Sequence, residues 1–222
     1  MMRYFETGDD IETMDREKSL RSTGLRRKNM KTLGIAALMV FLIAVSPAQE
    51  VMGIKIQGRI IDVVAQFEQK GFVQKVSKKD VIYMQGTVEN RNMELWLACT
   101  PKTRLVWKAQ VAFKGKSAWN ELKTQFDDMR DALIQKYGEP THDFRLFSSP
   151  YCEGDGNETF AVSSDKVHFA SSWIFDDYSI RLEISTYQHV TMSCKNTANR
   201  AIDCSEQQEI SRASLLLSKA SL

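Results

Sequence analysis

Histidine is scarce in this chain, three in 222 residues, and cysteine nearly so, at four. No Cys-x-x-Cys occurs and no histidine stands in a ligand-like spacing to a cysteine, so the sequence holds no zinc-type signature. An excess of one charge is also missing. Residues 1–48 carry eight of the 30 basic and six of the 28 acidic residues, which leaves the remainder balanced at 22 of each. Nothing in that balance suggests a nucleic-acid surface, and no nucleic-acid partner is expected. No catalytic or ligand-binding motif appears, so the residues speak to where the protein goes and how it is built before they speak to what it does.

Long apolar runs are absent with one exception. From Leu33 to Val45 thirteen residues carry no charge, about 20 Å of helix at roughly 1.5 Å per residue, against a hydrocarbon core of about 30 Å. Met30-Lys31, the apolar run, and Ser46-Pro47-Ala48 match the three parts of a secretory signal: a basic start, a short apolar stretch, and small residues before the cut. Residues 30–48 therefore read as a signal peptide cleaved after Ala48, with Met30 as an alternative start. Residues 1–29 then form a polar arm without helical periodicity. If the run is left uncleaved it becomes a membrane anchor, and contact with the membrane is confined to residues 33–48. Arg21, Arg26, Arg27, Lys28 and Lys31 crowd its near side, so either outcome carries the rest of the chain across the membrane, to the periplasm or beyond. No cysteine stands near the cut to take a lipid; the first is Cys99.

In an oxidising compartment Cys99, Cys152, Cys194 and Cys204 become candidates for disulfides. The short loop from Cys194 to Cys204 is the favoured bridge, worth about 2–3 kcal/mol if unstrained. Cys99 shares a strand face with Met93, Leu95 and Leu97 and is expected in the core.

Beyond the signal, Val51 to Gly58 reads as a strand. Ile60, Val63, Val64 and Phe67 follow at helical spacing before Lys70-Gly71. Strands are expected over Asp80–Val88, Met93–Thr100 and Arg104–Phe113, parted by turn residues. Trp119, Leu122, Phe126, Met129, Leu133 and Tyr137 predict a long amphipathic helix, with Ser117 as its cap and Gly138 and Pro140 as its stop. A loop from Thr141 to about Asn157 leads to strands at Glu158–Val162, Val167–Phe175 and Ser179–Tyr187. The expected fold is α+β: two helix-plus-antiparallel-meander halves, about 51–114 and 117–190, sharing one core within residues 49–190. A polar tail, 191–222, has room for one short helix. A single helix over a small sheet buries too little alone, which favours the paired arrangement.

Val51-Met-Gly-Ile-Lys-Ile-Gln-Gly58 directly after a signal, a helix ending Lys70-Gly71-Phe72 and another ending Lys136-Tyr-Gly-Glu-Pro140 together resemble small uncharacterised exported proteins of Bacteroides-type bacteria. That family implies export and brings no established activity. In architecture the pattern is also similar to helix-plus-meander envelope modules, namely the small lipoproteins of the outer-membrane assembly machinery and the beta-lactamase inhibitor proteins. This second likeness implies protein binding as the function.

His142, His168 and His189 are the available acid–base groups. An exported hydrolase using His142 or His189 with an acid or Cys152 is the alternative such residues allow. Glu153, Asp155 and Asn157 alternate as at the start of a calcium loop, but the sixth and twelfth places hold Glu158 and Ser164, so the pattern fails and a solvated turn is expected. No metal or cofactor is expected. Of the four tryptophans, Trp107 and Trp119 match buried faces. Trp96 lies opposite Leu95 and Leu97, with Glu94 and Ala98, and is the candidate contact residue. The expected function is an exported, non-enzymatic interaction module of the bacterial cell envelope, with another envelope protein as its partner.

Overall fold

The computed structural model describes residues 49–220 except Glu89 and residues 115–117. The signal-like run, the cut after Ala48 and the Ser117 cap lie outside the described residues.

The fold is α+β, with four helices and one large antiparallel sheet among the described residues. A small hairpin, β1 (Glu50–Val51) and β2 (Ile54–Lys55), precedes α1 (Ile60–Gln69). Four strands follow: β3 (Phe72–Lys78), β4 (Val81–Val88), β5 (Arg91–Cys99) and β6 (Val106–Phe113). Then come α2 (Trp119–Tyr137), β7 (His142–Phe147), a short α3 (Glu158–Ser163), β8 (Val167–Ile174), β9 (Tyr178–Ile184), β10 (Val190–Asn196) and α4 (Thr197–Ala220). In the large sheet the order is β3-β4-β5-β6-β10-β9-β8-β7. A helix followed by four meandering strands thus occurs twice, and the last strand of each meander, β6 and β10, pair at the centre.

Period-two alternation explains the packing. Met84, Leu95, Leu97, Val111, Ile180 and Leu182 occupy one side of the sheet and are fully or almost fully buried. α1 adds Ile60, Val63, Val64 and Phe67 to that side, and α2 adds Trp119, Leu122 and Phe126. Each such side chain contributes roughly 1.5–3 kcal/mol by leaving water. Trp119 and Phe126 meet the Phe169 ring edge-on, at centroid distances of 5.0 and 5.9 Å. At the far end of α2, Trp173 donates its indole N–H to the Gly138 carbonyl at 2.8 Å, closing the helix C-terminus.

Five segments differ from the sequence reading. Phe72–Lys78, to which it assigns no element, is strand β3, whose residues after Phe72 are all exposed and so carry no burial period. Val51–Gly58 is no single strand, because Met52 and Gly53, at φ 55° and 73°, turn it into a hairpin. The expected loop 141–157 opens with β7, an edge strand with only Phe147 half-buried, so burial left little hydrophobic signal in it. Glu158–Val162 is helical, not a strand: it buries only Ala161 and Val162, and Glu158 reaches back to accept the Gly154 N–H at 2.8 Å. The polar tail from 191 is in fact a central strand and a 24-residue helix.

Fixing α4 is Glu206, whose carboxylate accepts the backbone N–H of Lys102 at 2.6 Å and of Thr103 at 3.2 Å, and the Thr103 hydroxyl at 2.7 Å. Asn199 donates to the Val106 carbonyl at 2.7 Å, and the Arg200 guanidinium lies 4.5 Å from the centre of the Trp107 ring. Trp107 is therefore half-buried beneath α4 rather than sunk in the core.

Candidate functional site

α1 and α2 add their buried residues to the side bearing Leu95 and Leu97, and the alternate residues of the strands form a second face. Register sets its rows: Tyr83 opposes Trp96, Trp96 opposes Gln110, and Gln110 opposes Ser193. One row along, Gln85 opposes Glu94 and Glu94 opposes Ala112.

Trp96 is half-buried, and its ring lies 5.3 Å from that of Tyr83 at an interplanar angle of 33°. The Tyr83 hydroxyl donates to Glu94 Oε1 at 2.6 Å; the Gln85 amide donates to the same oxygen at 3.4 Å, and the Lys114 ammonium pairs with it. Burial pushes the Glu94 pKa up, but hydrogen bonds from Lys114 and Tyr83 outweigh it and hold the carboxyl below its ordinary value. Burial and the adjacent Glu94 push the Tyr83 phenol up to about 12. Near neutral pH the carboxylate stays charged and the phenol stays protonated. A general acid or base works best with a pKa near the working pH, so this cluster is suited to holding a fixed pattern of charge and aromatic surface. Beside it a shallow, open depression of about 500 Å³ is lined by Val73, Lys75, Gln85, Glu94 and Lys114 among others.

The sequence singled out Trp96 and placed Glu94 on its face. Tyr83, Gln85 and Lys114 escaped it, since only pairing between β4 and β5 and the exit of β6 bring them together.

The histidines do not assemble. His142 lies on edge strand β7, its ring stacked at 18° on Phe144 with centroids 6.2 Å apart. His168 is exposed on β8 opposite Leu146, four register steps from the His142 pair, or roughly 13 Å along the strand. His189 sits in the β9–β10 turn, with Nδ1 2.9 Å from the Gln188 carbonyl. Among the described residues no histidine is hydrogen-bonded to a carboxylate or a cysteine. Asp143, next to His142, serves the opposite face, accepting from Ser171 at 2.6 Å and from Arg130 at 2.8 Å. Cys152 is exposed in a turn whose carboxylates are spent on its own backbone: Asp155 accepts the N–H groups of Cys152 at 3.0 Å and Asn157 at 2.7 Å. Glu153 pairs with Lys123.

All four cysteines are free. Cys99 and Cys194 are buried on the core side, where desolvation raises their thiols to about 11 and about 12, while Cys152 and Cys204 are exposed. Cys194 and Cys204, the favoured pair from loop length, do not meet. Among the described residues there is no group of three or more His, Cys, Asp or Glu able to hold a metal, and no helix long and apolar enough to cross a membrane.

No family model, curated protein or solved structure matches this chain.

Proposed function

We propose that this protein is an exported, non-enzymatic binding module that recognises another protein of the bacterial cell envelope through the sheet face bearing Trp96. The observation that carries the reading is the Tyr83–Trp96 pair set beside a charged Glu94 that three neighbours hold in place. Aromatic side chains supply contact area at small entropic cost, and hot spots concentrate on them. A carboxylate already ordered by its neighbours adds direction without a further ordering penalty. The signal-like segment before Gln49 supplies the route of export, and the repeated helix-plus-meander order is read as an internal duplication that built so wide a sheet.

The test is capture from envelope extract with the purified protein, identification of the captured species by mass spectrometry, and titration of that species against Trp96→Ala. Truncating a hot-spot tryptophan costs about 2 kcal/mol or more, a rise of roughly thirtyfold in Kd. Equal affinity of Trp96→Ala and the parent protein for the identified partner would refute the assignment of this face.

A further inference from the structure

Asparagine followed two positions on by serine or threonine, with no proline between, is the acceptor triplet for an N-linked glycan in an exported chain. Of the seven asparagines in this sequence only Asn157 stands in such a triplet, Asn157-Glu158-Thr159. An acid two positions before the asparagine completes the form that bacterial transferases of this class accept, and Asp155 holds that place. The triplet is only a string of letters until the fold leaves it accessible and its side chains uncommitted.

Both conditions are met. Every residue from Cys152 to Asn157 is exposed. Asn157 directly precedes α3, a place where an asparagine carboxamide ordinarily accepts a backbone N–H of the first turn, yet here it makes no such bond. Its Nδ2 donates instead to the Asp155 carbonyl at 3.3 Å, a long contact within the turn. Thr159 serves the fold through its carbonyl, which accepts from the Ser163 hydroxyl at 2.9 Å and the Gln188 amide at 3.5 Å, and among the described residues its own hydroxyl has no partner. The Asp155 carboxylate does have partners, the N–H groups of Cys152 and Asn157. Those bonds are local and exposed, and each exchanges for water at a net cost of about 0.5–1.5 kcal/mol. α3 buries only Ala161 and Val162. The turn and the start of α3 therefore open locally at small cost, which extends the triplet and frees the acid.

We infer that Asn157 is an N-glycosylation site, modified outside the cytoplasm by transfer from a lipid-diphosphate-linked oligosaccharide. In the transfer Nδ2 attacks the anomeric carbon of the donor sugar. The carbon–nitrogen bond forms as the bond from that carbon to the diphosphate oxygen breaks; the amide gives up one proton, and the lipid diphosphate leaves with the bonding electrons. The inference rests on the export proposed above, since the donor is used on the far side of the membrane. It is compatible with the proposed binding face. Glu153 pairs with Lys123 of α2, so the turn lies on the helix-bearing side of the sheet, opposite the face of Trp96. A glycan on Asn157 covers the side that recognition does not use.

The test is mass spectrometry of the full chain purified from the producing cell, with cytoplasmic, periplasmic and membrane fractions kept apart, reading the tryptic peptide Leu146–Lys166 that holds Asn157. The expected result is a peptide heavier than its sequence by a series of sugar residues, with fragmentation placing the added mass on Asn157. Asn157→Gln and Thr159→Ala should each abolish the added mass, and Thr159→Ser should retain it. Asp155→Ala should lose it too, and retention there would refute the part given to Asp155. Fragmentation of the parent peptide decides the matter if a variant fails to accumulate. An unmodified peptide in the periplasmic or membrane fraction would overturn the inference and leave export standing, whereas a chain found only in the cytoplasm would overturn both. Sugar that survives Asn157→Gln would overturn the inference as well. None of these variants touches Trp96, so a failure here leaves the proposed binding face to its own test.

Discussion

Adding a single methyl group at Gly86 should destabilise the fold, although its backbone there could accept any residue. Gly86 lies in β4 opposite Phe72, and its φ is outside the left-handed region. A Cβ at this position would stand 2.8 Å from Phe72 Cγ, 2.9 Å from its Cδ1 and 3.1 Å from the Gly71 carbonyl oxygen. The contacted atoms belong to the root of the ring, not to a flexible tip. Phe72 is 2% exposed and stands edge-on to the fully buried Phe67, 5.6 Å between centroids, so the ring has no vacant direction in which to swing. Overpacking of this kind costs about 1–3 kcal/mol. Replacing glycine by alanine in a strand recovers about 0.5–1 kcal/mol through the unfolded chain. The expected net loss for Gly86→Ala is therefore about 1–2 kcal/mol, read as a lower urea midpoint at unchanged m and a Tm lower by about 3–6 °C for a body of this size. In a double-mutant cycle Phe72→Leu should relieve the clash, with a coupling of about 1 kcal/mol or more. A Gly86→Ala midpoint equal to or above the parent's, or strictly additive effects in the cycle, would refute the reasoning.

Thiol labelling separates the cysteines. In the native protein at pH 8 Cys152 and Cys204 should react promptly, whereas Cys99 and Cys194, buried and raised to about 11 and about 12, should react only on unfolding. Unreduced protein in denaturant should yield all four thiols; a count of two would establish a bridge instead. Acid should weaken the fold through Glu94 and Asp143. For both, burial opposes ionisation, but Lys114 and Tyr83 for the first, and Ser171 and Arg130 for the second, hold the pKa below the ordinary 4.5 and 3.8. Their stabilisation is thus present above those ordinary values and is lost as pH falls through the lower folded ones. The urea midpoint should drop between pH 6 and pH 3, and by less in Arg130→Gln; identical midpoints at the two pH values would count against these contacts.

Where burial imposes a period, the sequence was readable. The spacing of Ile60, Val63, Val64 and Phe67 and the six positions of α2 from Trp119 to Tyr137 identify both helices and their inward faces, because each helix has one apolar stripe to hide. β9 reads equally well, with Tyr178, Ile180, Leu182 and Ile184 buried in strict alternation. β7 defeats the same logic. An edge strand keeps its apolar residues on an exposed side, so Phe144 and Leu146 advertise nothing about a core. β10 defeats it from the opposite direction: it lies at the centre of the sheet, yet Thr191, Ser193 and Lys195 fill the face opposite the core residues Val190 and Cys194 and make the segment look like a tail.

For the candidate site the division falls at the single strand. Alternation within β5 was enough to set Trp96 and Glu94 apart from Leu95 and Leu97, since neighbours in a strand must point to opposite faces. It could not supply Tyr83, Gln85 or Lys114, whose approach to Glu94 depends on the register of three strands. Likewise, the ten-residue spacing of Cys194 and Cys204 invites a bridge until β10 turns one thiol into the core and α4 carries the other to the surface. Which residues hide from water can be read along the chain, because that preference is written residue by residue. Which polar residues meet depends on the assembled fold, because strand register and helix docking are settled by the whole core at once.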